Sequence, residues 1–280
     1  MREKTTYQLL SGKDVAHAIL NDLSQKIKSL KKKPTLAVIL VGKNPASQLY
    51  VKNKKAKAKL IGMNSKDFLL AEDISEEDLL DQIDKLNHDE NIDGILVQLP
   101  LPEYINKNKI IEAISPKKDV DGFHPINMGR LAQGIPSLRP CTPHGIISLL
   151  KHYKINLRGL NAVIVGASNI VGKPMALELL LAGSTVTVCN SKTTDLKSHV
   201  NSADLLISAT GKRGLINSDW IKSGAIIIDV GQHRLDDGSF VGDLDFEKAA
   251  QKASFITPVP GGVGPMTIAI LLENTYRASL

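Results

Sequence analysis

A strand-to-helix turn built on glycine limits this chain more than any other stretch. Residues 161–183 read NAVIVGASNIVGKPMALELLLAG. Ala162 to Val165 are consecutive apolar residues, glycine and small polar residues follow, and Met175, Leu179 and Leu180 resume at helical spacing. That order predicts a strand, a tight turn and a helix. Gly166 and Gly172 bracket the turn, where a backbone without Cβ can approach a ligand. The helix after it would aim backbone N–H groups and a partial positive charge at the same point, which suits a phosphate. Ser168 stands where the second glycine of G-x-G-x-x-G would be. Taken alone, the stretch is therefore open to two readings, a nucleotide site and a structural turn of an α/β protein.

The surrounding pattern extends the argument. Strands at 162–165, 185–189, 204–208 and 225–230 are separated by helical or polar segments, which predicts a parallel sheet with crossover helices, a Rossmann-like half. The first third alternates as well. Ser11 is a candidate N-cap for a helix with the stripe Val15, Ile19, Leu23, Ile27 and Leu30. Thr35 to Val41 reads as a buried strand and Gln48 to Ile61 as a very basic helix. A short strand near 68–71, a helix capped by Ser75 and a strand at 94–99 follow. A short helix at about 109–114 precedes a long irregular stretch, 115–134, that carries Asp119, Asp121 and His124. Thr142 and Pro143 look like the N-cap and first residue of a helix reaching about Tyr153.

A chain of 280 residues suits two domains. The expected division is an N-terminal α/β substrate domain, 1–140, and a C-terminal Rossmann-like cofactor domain, 141–264, with a terminal helix, 265–280, returning to the first domain. Two cysteines, Cys141 and Cys189, give no disulfide framework and suit a reducing compartment. The N-terminus MREKTTYQLL lacks a signal-peptide apolar run, and no window approaches the ~18 apolar residues of a membrane span. The expectation is a cytoplasmic protein. Its net charge of +6 favours acidic partners without identifying one.

Several residues can carry chemistry, each with an ordinary alternative. Tyr50 and Lys54 are four apart on the basic helix and share a face. A lysine works as general acid or base only if burial or neighbouring cations lower its pKa; otherwise Lys52, Lys54, Lys55, Lys57 and Lys59 are a solvated face. Gln98 sits at the carboxyl end of a strand, where open α/β sheets place ligands, or simply ends that strand. Asp119, Asp121 and His124 match no metal motif, and acids in loops commonly form turns. Asp121, followed by Gly122, can instead bind a heterocycle with adjacent N–H donors. TPVPGGVGP, 257–265, lacks the Gly-Lys-Ser/Thr of a P-loop, leaving a rigid lid or hinge. After the second strand of the Rossmann-like half, Cys189-Asn190-Ser191-Lys192 offers no carboxylate for ribose hydroxyls, which favours NADP over NAD.

These pieces in this order resemble the bifunctional methylenetetrahydrofolate dehydrogenase and methenyltetrahydrofolate cyclohydrolase family. The matching segments are VGKNPASQLYVKNK (41–54), DGILVQLPLP (93–102), PKKDVDGFHPINMGRL (116–131), PCTPHGIISLL (140–150), VGASNIVGKPMALELL (165–180), IIIDVG (226–231) and TPVPGGVGPMT (257–267). The likeness covers nearly the whole chain.

The resemblance implies a two-domain α/β enzyme, usually a homodimer, with folate bound in an interdomain cleft; the sequence gives no evidence for a metal. It implies that Lys54 activates water and shuttles protons, that Gln98 tunes and positions it, and that Asp121 anchors the pterin. Tyr50 would stack on the aminobenzoyl group, and Pro260, Gly261 and Gly262 would border the folate. The cofactor would rest on Gly166, Ala167 and Ser168, with Ser191 toward the ribose phosphate and Gln232 near the far end. The Lys52–Lys59 run would attract a polyglutamate tail. The chain departs from the family pattern at Ala167, where arginine is common, at Ala56, where lysine is common, and at Gln232, where an aliphatic residue is usual. The missing guanidinium leaves NAD open beside NADP. Rival readings are a member with one activity and a basic nucleic-acid-binding module. The lysines lack interleaved aromatics, and aromatic content is 4%, which argues against nucleic acid.

Overall fold

The computed structural model describes residues 7–280; the first six residues of the charged N-terminus lie outside it. In chain order the elements begin β1 (Gln8–Leu9), α1 (Gly12–Lys28), β2 (Thr35–Val41), α2 (Pro45–Leu60), β3 (Asn64–Leu70), α3 (Glu76–His88) and β4 (Gly94–Val97). Then come α4 (Lys107–Ala113), α5 (Pro125–Ala132), α6 (Cys141–His152), β5 (Asn161–Val165), α7 (Gly172–Leu181), β6 (Thr185–Cys189) and α8 (Leu196–Ser202). The last are β7 (Leu205–Ser208), β8 (Ala225–Asp229), β9 (His233–Arg234), β10 (Phe240–Val241), α9 (Phe246–Ala250), β11 (Ala253–Ile256) and α10 (Val263–Ala278). The chain forms two compact units. The first holds His17–Cys141 and Ile268–Leu280, and the second holds the described residues up to Ala16 together with Thr142–Thr267.

The first unit is organised by β2, the middle strand of a parallel sheet in the order β3-β2-β4. All seven residues of β2 are buried, as a central parallel strand requires. Ala37, Ile39 and Val41 pack with Leu79, Ile83 and Leu86 of α3 and with Ile110 of α4. Ser75 caps α3 by accepting from Asp78 N at 3.0 Å, as its spacing predicts. The outer edge of β4 is covered by chain rather than by another full strand. Ile95 N donates to Lys118 O at 2.7 Å, and Ile95 bridges Asp119 in parallel. From α10, Asn274 Nδ2 donates to Val120 O at 2.9 Å and to Arg139 O at 2.8 Å, so the terminal helix belongs with this unit from residue 268 onward.

The stretch 115–134, read as irregular, contains helix α5. Its start is local chemistry: Pro125 fits the first turn, and the His124 ring accepts from Ile126 N at 3.0 Å. Asn127 and Leu131 bury the inner face. Thr142 is not an N-cap, because α6 begins at Cys141; its hydroxyl instead bonds that of Thr267 at 2.9 Å.

The second unit carries a parallel sheet in the order β1-β11-β8-β7-β5-β6. Successive strands leave β5 in opposite directions, to β6 on one side and β7 on the other, which creates a topological switch point at the carboxyl ends of β5 and β7. Val163, Val165, Leu206 and Ile227 form its core with Val200, Ile216, Ile221 and Ala249. Two strands of this sheet escape the sequence pattern. β11 follows α9, and β1 pairs with it through Gln8↔Phe255 and Leu9↔Ile256. Residues 7–16, expected with the first domain, therefore pack with the second unit. A two-residue strand has too little periodicity to be read in advance.

Gly94 tests the packing at the edge of β4. A Cβ there would lie 2.5 Å from Val120 Cγ1 and 3.3 Å from Thr275 Cγ2. Gly94→Ala should lower stability by about 1–3 kcal/mol, because stiff, buried Val120 has to move. Urea unfolding reads this directly; an unchanged midpoint would show that the 118–121 segment yields freely.

Candidate active site

Helix α2 and strand β4 bring the first group of side chains together. Lys54 is the buried lysine of α2, 8% exposed, whereas Lys52, Lys55, Lys57 and Lys59 face solvent. Lys55 is occupied by Asp67 at 2.5 Å. Lys54 Nζ donates to Gln98 Oε1 at 2.9 Å. The amide is itself oriented, because Gln98 Nε2 donates to Leu99 O at 2.8 Å while Gln98 N donates to Ile39 O at 2.9 Å. The ammonium thus meets an acceptor held by strand geometry. Tyr50, one turn before Lys54, is 37% exposed.

Asp121 completes the electrostatics of this group. Burial lowers the Lys54 pKa from its ordinary value, opposed chiefly by attraction to Asp121. Burial pushes Asp121 up to about 6; the Lys54 charge opposes that rise, Asp119 adds to it, and a hydrogen bond from Cys141 opposes it. The Cys141 thiol is driven well above its usual range, first by burial and then by Asp121. It is a protonated donor, reaching Val120 O at 3.1 Å. Near neutral pH this leaves an ionised carboxylate close enough to act on a lysine that releases its proton more readily than usual.

Asp119 and Asp121 divide their work. Asp119 is a turn former: its carboxylate accepts from Gly122 N at 3.1 Å, His124 N at 2.8 Å and Asn127 Nδ2 at 2.9 Å. Gly122 has φ +77, and a Cβ there would lie 2.4 Å from the Arg139 carbonyl carbon, so only glycine lets this turn close. His124 caps α5. Among the described residues, no group of three His, Cys, Asp or Glu side chains is placed to hold a metal ion.

The second unit gathers the remaining candidates at strand ends. Gly166 ends β5 with φ +122, and a Cβ on it would lie 2.1 Å from Ala209 O. A Cβ on Gly172, the first residue of α7, would lie 2.0 Å from Gly166 O. Both glycines are required by close backbone approach. Ala167 continues the turn, and Ser168 Oγ accepts from Val171 N at 3.2 Å and Gly172 N at 3.5 Å. The result is a tight turn and helix start at the switch point, the geometry that takes a pyrophosphate.

Ser191 and Lys192 follow β6 on an exposed turn where Asn190 Oδ1 accepts from Lys192 N at 2.8 Å. Gln232 follows β8 and is exposed. Pro260, Gly261 and Gly262 link β11 to α10 after a cis Val259–Pro260 bond. They are tied to the start of α1, since Lys13 N donates to Gly261 O at 2.9 Å. At the end of β6 the chain offers a hydroxyl and an ammonium without a carboxylate.

The comparisons with known proteins find one family along the chain. Residues 10–121 match the tetrahydrofolate dehydrogenase/cyclohydrolase catalytic domain, and residues 140–280 match the NAD(P)-binding domain of the same family. The chain belongs to the tetrahydrofolate dehydrogenase/cyclohydrolase family. It is 53% identical to the bifunctional methylenetetrahydrofolate dehydrogenase/cyclohydrolase of Campylobacter jejuni over 98% of each chain, with a TM-score of 0.95. The Trypanosoma brucei dehydrogenase-cyclohydrolase, solved with NADP and an inhibitor, is 35% identical over 98% of this chain and 97% of its own, TM-score 0.93. The bifunctional enzyme of Thermoplasma acidophilum is 35% identical over 97% and 98%, TM-score 0.92. The chain is an enzyme of the dehydrogenase/cyclohydrolase class with an NAD(P)-binding domain.

Sequence reasoning on this family member passed over Cys141 and Asn274, which surround the Asp121 segment. Cys141 is read only in the cysteine count and within the segment 140–150, and Asn274 is not singled out. The electrostatics give a test. Lys54 should acylate, in peptide-mapped pH titrations, with an apparent pKa below the ordinary lysine value of ~10.4. Asp121→Asn should lower it further by removing an attraction that favours the ammonium; a rise would contradict the arrangement.

Proposed function

We propose that this chain oxidises methylenetetrahydrofolate to methenyltetrahydrofolate with NADP and then hydrolyses that product to formyltetrahydrofolate. The observation that carries the reading is the buried Lys54 ammonium on Gln98, under the influence of Asp121, in a member of this family. The nicotinamide ring, when bound, supplies a hydride acceptor. Gly166, Ala167 and Ser168 would hold the pyrophosphate with backbone N–H groups, Ser191 and Lys192 would face the ribose phosphate, and Gln232 would lie toward the far end of the cofactor.

Loss of hydride leaves the one-carbon bridge as an electrophilic methenyl cation. Neutral Lys54 takes a proton from water as the water oxygen bonds to that carbon, the resulting ammonium returns it to the ring nitrogen as the carbon–nitrogen bond breaks, and the regenerated amine takes the remaining hydroxyl proton as the formyl carbonyl forms, passing it to solvent. Gln98 keeps Nζ aimed at the reacting water throughout. Asp121 receives the N–H donors of the pterin, Tyr50 stacks on the aminobenzoyl group, and the Pro260–Gly262 segment borders the folate. The exposed lysines from Lys52 to Lys59 attract the polyglutamate tail. The resemblance also carries a homodimeric assembly into this reading, and the cysteine usage a cytoplasmic location. No helix among the described residues is long and apolar enough to cross a membrane.

One observation favours a second cofactor reading. Ala167 supplies no cation beside the turn, so NAD competes with NADP, and Lys192 is the charge that decides. Reduction of NADP and NAD should be followed in parallel with methylenetetrahydrofolate as substrate. NADP should be reduced faster, and Lys192→Ala should narrow the difference; reduction of neither would remove the dehydrogenase half. Lys54→Met should abolish hydrolysis of supplied methenyl substrate, a loss of at least ~10²-fold, while hydride transfer survives in part. Equal loss of both in a folded variant contradicts the separate role of Lys54.

A third measurement follows from Asp121. Both oxygens of its carboxylate are acceptors only when it is ionised, and protonation turns one into a donor, so KM for folate should rise as pH falls through about 6. In Asp121→Asn that inflection should vanish; its persistence would assign the titration elsewhere.

A further inference from the structure

The carboxyl ends of β7 and β8 are joined by a carboxylate that no part of the mechanism uses. Asp243 is 1% exposed and follows the hairpin formed by β9 and β10. Its Oδ2 accepts from Thr210 N at 2.8 Å, Thr210 Oγ1 at 2.8 Å, Gly211 N at 3.2 Å and Ser208 Oγ at 3.3 Å. Its Oδ1 meets His233 Nε2 at 2.7 Å. Its backbone is engaged too, with N donating to Asp229 Oδ1 at 3.0 Å and O accepting from Gly214 N at 2.8 Å. A Cβ on Gly231 would lie 2.2 Å from Asp243 Oδ1, so glycine at that position is what admits the carboxylate.

These bonds hold two segments that flank the switch point. Residues 209–211 form the wall against Gly166: Ala209 N donates to Val165 O at 2.9 Å, and Ala209 O is the atom a Cβ on Gly166 would strike. Residues 231–233 include Gln232. Directional bonds to one buried carboxylate therefore set where both segments stand. Hydrogen bonds that involve a charged group are stronger than neutral ones, and here several converge on one residue.

We infer that Asp243 is a positioning residue for the nicotinamide cofactor: it fixes the 209–211 turn and the segment bearing Gln232 against the Gly166 turn. This rests on the cofactor placement proposed above. It predicts an effect confined to the cofactor, since Lys54, Gln98 and Asp121 belong to the other unit.

The experiment compares Asp243→Ala, Asp243→Asn and Thr210→Val with the unaltered enzyme. Equilibrium binding of NADP, read by calorimetry, should weaken about tenfold or more in Asp243→Ala. It should weaken less in Asp243→Asn, whose remaining oxygen can keep the Thr210 and Gly211 donors while His233 changes tautomer. Amide exchange at Thr210 and Gly211 should quicken in the same order. KM for NADP should rise while KM for folate and hydrolysis of supplied methenyl substrate change less than about twofold. A merely structural role would lower folate binding and hydrolysis along with the melting temperature. If Asp243→Ala does not fold, Asp243→Asn and Thr210→Val carry the test. Folded variants that bind NADP as the unaltered enzyme does overturn the inference. Failure of the unaltered enzyme to bind NADP or NAD would instead strike the cofactor placement itself.

Discussion

Burying one ammonium of a lysine-rich helix is the constraint around which the first unit is arranged. An unpaired Lys54 at that depth would be expensive, so an acceptor must come to it. Gln98 can be that acceptor because β2 fixes the backbone at residue 98 and Leu99 O fixes the amide. Asp121 acts on the lysine because 118–120 lies along β4, held there by Asn274. Sheet, edge segment and terminal helix thus converge on one side chain.

Burial of ionisable groups here comes at a cost in stability. Lys54 has a lowered pKa, so its charged form is disfavoured in the fold; that cost is full below its folded value and disappears as pH rises to the unfolded value. Asp229, in the second unit, is displaced in the opposite sense, to about 6, by burial and despite three backbone donors. Its contribution to stability is greatest below the unfolded value of ~3.9 and declines as pH rises through about 6. Buried ionisable groups at both sites draw on stability that the apolar cores must supply.

Much of this architecture is visible in the chain itself, for reasons that can be named. Thr35–Val41 is continuous and β-branched because a central parallel strand is covered on both faces, and the Gly166 turn announces itself because a Cβ cannot fit. What stays hidden depends on distant partners. Five lysines on α2 look alike until Gln98, 44 residues away, selects Lys54. Asp243 and Asn274 are not legible as anchors in the sequence, since the groups each satisfies lie elsewhere in it. β1 is two residues long and is defined wholly by β11. Where a role is local, as with Ser75, sequence suffices; where it is set by tertiary partners, it does not.

The division of α10 between the units bears on how the protein is made. The first unit is discontinuous: residues up to Cys141 leave the ribosome well before the stretch that begins at Ile268. Until Asn274 arrives, Val120 O and Arg139 O lack the donor that holds them in the finished protein. At ~5–20 residues per second, the nascent unit waits roughly ten seconds for its last helix. During that interval the second unit's sheet is being synthesised, so the first unit reaches its final form only once its neighbour has been made.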